Sequence, residues 1–123
     1  LVIGPDGTNN VGFREVLLAG TTLSLTLQFT EIVDNVAVPI DIDNTTEAVY
    51  RIYDILSGAT LVTVDLGDGI VIDGTTFVIT VDPADTEELY GELGNEFKWT
   101  DNTGRVGGAP GRIRVARTRI TSA

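Results

Sequence analysis

The stretch GIVIDGTTFVITVDPADTEELYGELGNEFKWTDNTG, Gly69 to Gly104, restricts the fold more narrowly than the rest of the chain. Ile70 and Ile72 stand two apart before Asp73-Gly74, a tight-turn dipeptide, and Phe77, Ile79 and Val81 then alternate with Val78, Thr80 and Asp82. Period-two alternation predicts two strands joined by a turn. Asp82-Pro83-Ala84-Asp85 reads as a helix start, with Asp82 able to cap, Pro83 at the first helical position and an acid in the first turn. One helical turn is expected, ending by Gly91. Beyond it Leu93, Asn95, Phe97 and Trp99 face one way and Glu92, Glu96 and Lys98 the other, until Asp101-Asn102-Thr103-Gly104 reverses the chain.

Working outward, Leu23, Leu25, Leu27 and Phe29 alternate with Thr22, Ser24, Thr26 and Gln28, which predicts a strand over 21–30 with one apolar face. Asp34-Asn35 turns the chain into Val36, Val38, Ile40 and Ile42, where Pro39 places the segment at an edge or a bulge. Strands follow over 46–56, closed by Ser57-Gly58, and over 60–66, closed by Gly67-Asp68-Gly69. A last strand is expected over 111–120, with Ile113 and Val115 inward and Arg112 and Arg114 outward. Val106-Gly107-Gly108-Ala109-Pro110-Gly111 before it reads as a flexible loop. About seven or eight short strands at this spacing, with helix confined to one turn, are the pattern of an all-β antiparallel sandwich.

Residues 1–20 differ from the rest. Ile3-Gly4-Pro5-Asp6-Gly7-Thr8-Asn9-Asn10 is turn-forming, and a short apolar-polar mixture runs from Val11 to Leu18. The segment is expected to be an extended N-terminal arm, either a frayed end or first edge strand of the domain at 21–123, or an arm that docks on a neighbouring subunit through Val2, Ile3, Val11 and Phe13. With no initiator Met, Leu1 is expected to be a processed or truncated start.

Composition bounds the chemistry. At 123 residues the chain is expected to be one domain, and Thr, Val and Ile make about a third of it, which suits pleated strands. Cys and His are both absent. That excludes disulfides, thiolate or Ser-His-Asp catalysis and imidazole metal sites, and still allows acid-base chemistry through two carboxylates. The net charge of −10 is unevenly placed, since all 18 acids lie before Arg105, and Arg105, Arg112, Arg114, Arg117 and Arg119 follow them. An acidic body repels nucleic acid and anionic lipid, so neither is an expected partner. No apolar run approaches the roughly 18 residues of a membrane span.

Asp41, Asp43, Asn44 and Glu47 have spacing that suits calcium, yet Thr46 and Ile52 stand where an EF-hand needs Gly and a bidentate acid. A looser site shared with Asp65, Asp68 or Asp73 is the other option, set against solvated turn acids. Carboxylate pairs for glycoside hydrolysis are weighed the same way, because the acids sit beside Gly, Asn or Thr in turns. No cofactor is expected. Neither Gly67-Asp68-Gly69 nor Gly107-Gly108 precedes a helix pattern, so neither is a phosphate loop. Trp99, Tyr50, Tyr53 and Tyr90 read either as a carbohydrate platform or, for Trp99 beside Phe97 and Leu93, as inter-sheet packing. Arg112, Arg114, Arg117 and Arg119 read either as a charged edge that discourages aggregation or as a contact with an acidic neighbour.

The succession Asp68-Gly69-Ile70, Phe77-Val78-Ile79-Thr80-Val81, Asp82 to Leu89, Gly91, Phe97-Lys98-Trp99-Thr100-Asp101, Gly104-Arg105 and Gly111-Arg112-Ile113-Arg114-Val115 resembles small Ig-like domains of tailed-bacteriophage structural proteins. These include the N-terminal domain of baseplate upper proteins and accessory domains of tails and heads. The likeness covers about residues 21 to 116 and departs at Leu93, where many such domains carry a corner Tyr. It implies an Ig-like sandwich without catalysis, located in the virion. Its function would be as a tail, baseplate or fibre adaptor or connector whose partners are other virion proteins, copies of itself among them. A capsid decoration protein and a calcium-stabilised bacterial surface or adhesion module are the alternatives.

Overall fold

The computed structural model describes residues 2–3 and 14–117. Turn chemistry and alternation divide them into β1 (Val2–Ile3), β2 (Arg14–Leu18), β3 (Leu23–Val33), β4 (Val36–Pro39), β5 (Thr45–Tyr53) and β6 (Thr60–Leu66), then β7 (Gly69–Asp73), β8 (Thr76–Val81), α1 (Pro83–Thr86), β9 (Gly91–Asp101) and β10 (Val106–Ala116). The hydrogen-bonded path runs β1-β3-β8-β7-β6-β5-β9-β10-β2, with β4 added to β3. It folds over where β6 meets β7, a parallel link of only two residue pairs, Asp65 with Gly69 and Leu66 with Ile70. So β3, β8 and β7 form one layer of an Ig-like sandwich, and β6, β5, β9, β10 and β2 the other.

The inward side chains are those the alternation selects. Leu23, Leu25, Leu27 and Phe29 of β3 meet Tyr50 and Ile52 of β5 and Leu93, Phe97 and Trp99 of β9, all buried. An aromatic cluster joins the layers: the Phe77 ring lies 4.8 Å from Phe97, and Phe29 lies 5.9 Å from Phe97 and 5.7 Å from Trp99, between centroids. Pairs of this geometry contribute about 0.5–1.5 kcal/mol each beyond their area. Asn95, also buried, donates from Nδ2 to the Tyr50 hydroxyl at 2.9 Å and so pins β9 to β5 inside the core.

Most pairings are antiparallel, and three are parallel: β1 with β3, β6 with β7, and β2 with β10. The last has a consequence for the N-terminal segment. Arg14–Leu18 is an edge strand of this domain, in register with Arg112 to Ala116, and Leu17 is buried in the core.

The expected loop at 106–111 is corrected to strand. Val106 to Gly111 pairs with Thr100 to Asn95 of β9, so β10 starts five residues earlier than the charge pattern suggested and ends at Ala116. The small residues follow from packing: Trp99 occupies the space above Gly107, and Ala109 is buried opposite Phe97. Pro110 lies where β2 does not pair with β10, so its missing N–H leaves no gap in that pairing.

At the opposite end of the sandwich from the β9–β10 turn, α1 fills the corner between β8 and β9. Asp82 occupies its N-cap position with extended backbone, without a side-chain capping hydrogen bond, and Pro83 opens the turn. The buried Thr86 hydroxyl accepts from Gly20 N at 3.2 Å and donates to Thr21 O at 2.7 Å. This ties the corner to the start of β3. Leu93, at the position of the corner Tyr, is core.

Candidate contact surfaces

Two exposed apolar surfaces stand at opposite ends of the sandwich. The first is the hairpin of β3 and β4. Asp34 and Asn35 take positive φ of 50° and 64°, the left-handed geometry of a tight hairpin turn, which short polar side chains tolerate. Ile32 pairs with Ala37 and Val33 with Val36. Neighbouring residues on a strand point to opposite faces, yet Ile32 and Val33 are both exposed, as is Val36 at 58%. The hairpin tip therefore projects beyond the cover of the second layer. Its base is held by Arg105, whose Nη2 donates to Glu31 Oε2 at 3.0 Å, and by Ile40 N donating to Phe29 O at 2.8 Å.

Arg105 in turn lies in a turn organised by Asp101. The Oδ1 atom of Asp101 accepts from Thr103 Oγ1 at 2.6 Å, Thr103 N at 2.9 Å and Arg105 N at 3.0 Å. The Thr103 hydroxyl, then these backbone donors and the Arg105 charge, hold the carboxyl below the usual aspartate range, against the opposing effect of burial.

The second surface lies at the far end of β10. Val16 and Leu18 of β2 point outward, Val16 at 77% exposure and in register with Arg114 of β10, Leu18 in register with Ala116. Arg117 follows, its guanidinium 5.2 Å from the centre of the exposed Tyr90 ring. Arg114 faces Glu92 in register across β9.

Of the residues chosen from the sequence, Arg112, Arg114 and Arg117 are thus brought together on one exposed edge. Val2 and Ile3 lie elsewhere, in β1, beside Gln28 and Phe29 of β3. Val11, Phe13 and Arg119 lie outside the described residues. Sequence reasoning missed the hairpin tip. Its signal was Ile32-Val33 and Val36-Ala37-Val38, apolar on both faces around a polar turn where the neighbouring strands alternate. It also missed Val16 and Leu18, and weighed Tyr90 only as part of a carbohydrate platform.

Among the described residues no three carboxylates converge at a metal's reach. Several serve turns, as where Asp43 N donates to Asp41 Oδ1 at 3.0 Å and Leu56 N to Asp54 Oδ1 at 2.9 Å. Trp99 and Tyr50 are buried, so only Tyr53 and Tyr90 of the proposed carbohydrate platform reach the surface. Tyr53 is itself committed, with the Arg51 guanidinium 4.7 Å from its ring centre and Arg51 bound to Glu96 and Thr60.

No family model and no curated protein matches the chain. Among solved structures it is similar to the crystal structure of CopC from Methylosinus trichosporium OB3b, with a TM-score of 0.50 and 10% identity over 89% of each chain. At that identity the likeness concerns the fold alone.

Proposed function

We propose that this chain is a non-enzymatic structural component of a phage virion, an adaptor or connector of tail, baseplate or fibre that acts through protein–protein contacts. The observation that carries the contact reading is the pair of exposed apolar groups at the two ends of the sandwich, Ile32, Val33 and Val36 at one and Val16, Leu18 and Tyr90 at the other, each beside charged side chains. Apolar surface left open beside charged residues is the usual mark of an interface. The resemblance of residues 21–116 to phage Ig-like domains supports the virion, and the absence of Cys and His removes thiolate and Ser-His-Asp catalysis. The partners are other virion proteins, and neither nucleic acid nor membrane is among them.

The test is compositional. Gradient-purified particles from cells that carry this sequence should contain the chain at a fixed copy number per particle. Its absence from them would overturn the virion assignment. Changing Arg112 and Arg114 to Ser should weaken incorporation and flatten its salt dependence. Unaltered incorporation would reduce the arginines to a charged edge.

A further inference from the structure

We propose that copies of this chain associate head to tail, the β3–β4 hairpin tip of one seated on the β2–β10 edge of the next. This rests on the contact reading above and names the partner as a second copy. Three observations carry it. The two surfaces belong to one rigid body but cannot meet within it: the eleven residues of β10 alone separate its ends by roughly 33 Å, at about 3.3 Å per residue. Their chemistry is complementary. Ile32, Val33 and Val36 are apolar around Asp34 at the apex, whereas Val16, Leu18 and Tyr90 are apolar around Arg112, Arg114 and Arg117. Three exposed arginines on the second surface stand against Asp34 at the tip, and Glu92 borders that surface on the β9 side. Finally, each surface includes a strand with a single described partner. Among the described residues β4 pairs only with β3 and β2 only with β10, the kind of strand that adds to a neighbour's edge.

Because the two surfaces differ, the contact is heterologous. Repetition gives a ring if the rotation closes and a filament if it does not, rather than a two-fold dimer. Sedimentation velocity of the full chain over rising concentration tests it, with two double variants on exposed positions. Ile32→Ser with Val36→Ser removes the tip, and Val16→Ser with Arg114→Glu removes the edge. The expected result is concentration-dependent assembly beyond a dimer for the wild type and monomers for each variant alone. An equimolar mixture of the two variants should stop at a one-to-one dimer, since each contributes one intact surface. A wild type that stays monomeric at about 1 mM, where even weak specific contacts are populated, would overturn the proposal. So would variants that assemble like the wild type, or a mixture that remains monomeric. A chain found in particles yet monomeric in this assay would sink the head-to-tail contact and leave the structural reading standing. Unchanged melting temperatures of both variants confirm that the folds compared are the same.

Discussion

The indole of Trp99 lies across the backbone of Gly107, its partner on β10, so closely that a Cβ at that glycine would stand 2.4 Å from Nε1. Trp99 is buried between Phe29 and Phe77 and has nowhere to retreat. We expect Gly107→Ala to cost about 1–3 kcal/mol by overpacking, read as a lower denaturant midpoint. A midpoint equal to wild type would mean that the ring is not held where it lies.

Gly94 makes an instructive contrast, because a Cβ there would fall 2.2 Å from Cζ of Tyr53. That ring is half-exposed on the outer face and can swing toward solvent. Gly94→Ala should displace Tyr53 from the Arg51 guanidinium at a cost within about 1 kcal/mol, the scale of an exposed cation–π contact. Tyrosine fluorescence anisotropy should fall at the same time. A loss as large as that of Gly107→Ala would contradict this ranking.

The Thr86 hydroxyl serves both Gly20 and Thr21 at the corner between β8 and β9. Thr86→Val keeps the shape and strands both partners, so we expect a loss of about 1–3 kcal/mol. Thr86→Ser should retain most of the stability. Equal losses in the two variants would assign the position to packing instead.

Asp101 links stability to acid. Its folded-state pKa lies below that of the unfolded chain, so its contribution is fully present above the ordinary aspartate range and is lost as pH falls through the folded value. The stability gap between wild type and Asp101→Asn should therefore be widest near neutrality and close in strongly acidic buffer. A gap that is constant from neutral pH to pH about 2 would show that the charge of Asp101 is not the source.

Much of this architecture is legible in the amino-acid order. The alternation of Leu23 to Phe29, Phe77 to Val81 and Leu93 to Trp99 marks three central strands because each has one dry face, and Asp82-Pro83 places the helical turn. The first half of β10 is illegible for a physical reason. Gly107, Gly108 and Pro110 carry loop propensity, and what makes them strand is the Trp99 ring and the β9 backbone, supplied from elsewhere in the chain. The contact surfaces divide in the same way. Charge singled out Arg112, Arg114 and Arg117, because charge is visible one residue at a time. The openness of Ile32, Val33 and Val36 depends on where the second layer stops, which no local pattern encodes.

The parallel register of β2 and β10 also governs how the domain bears load. Tension applied at residue 14 and at Ala116 pulls the two strands in opposite directions along their length, so five registered pairs, Arg14 with Arg112 through Leu18 with Ala116, resist together. Pulling from Leu18 and Ala116 would peel the same pairs one at a time. In single-molecule extension the first geometry should rupture at the higher force, and equal forces would refute the idea. The domain is thereby stiff along its own axis and weak across it: a strut that transmits pull yet can still be unzipped from one end.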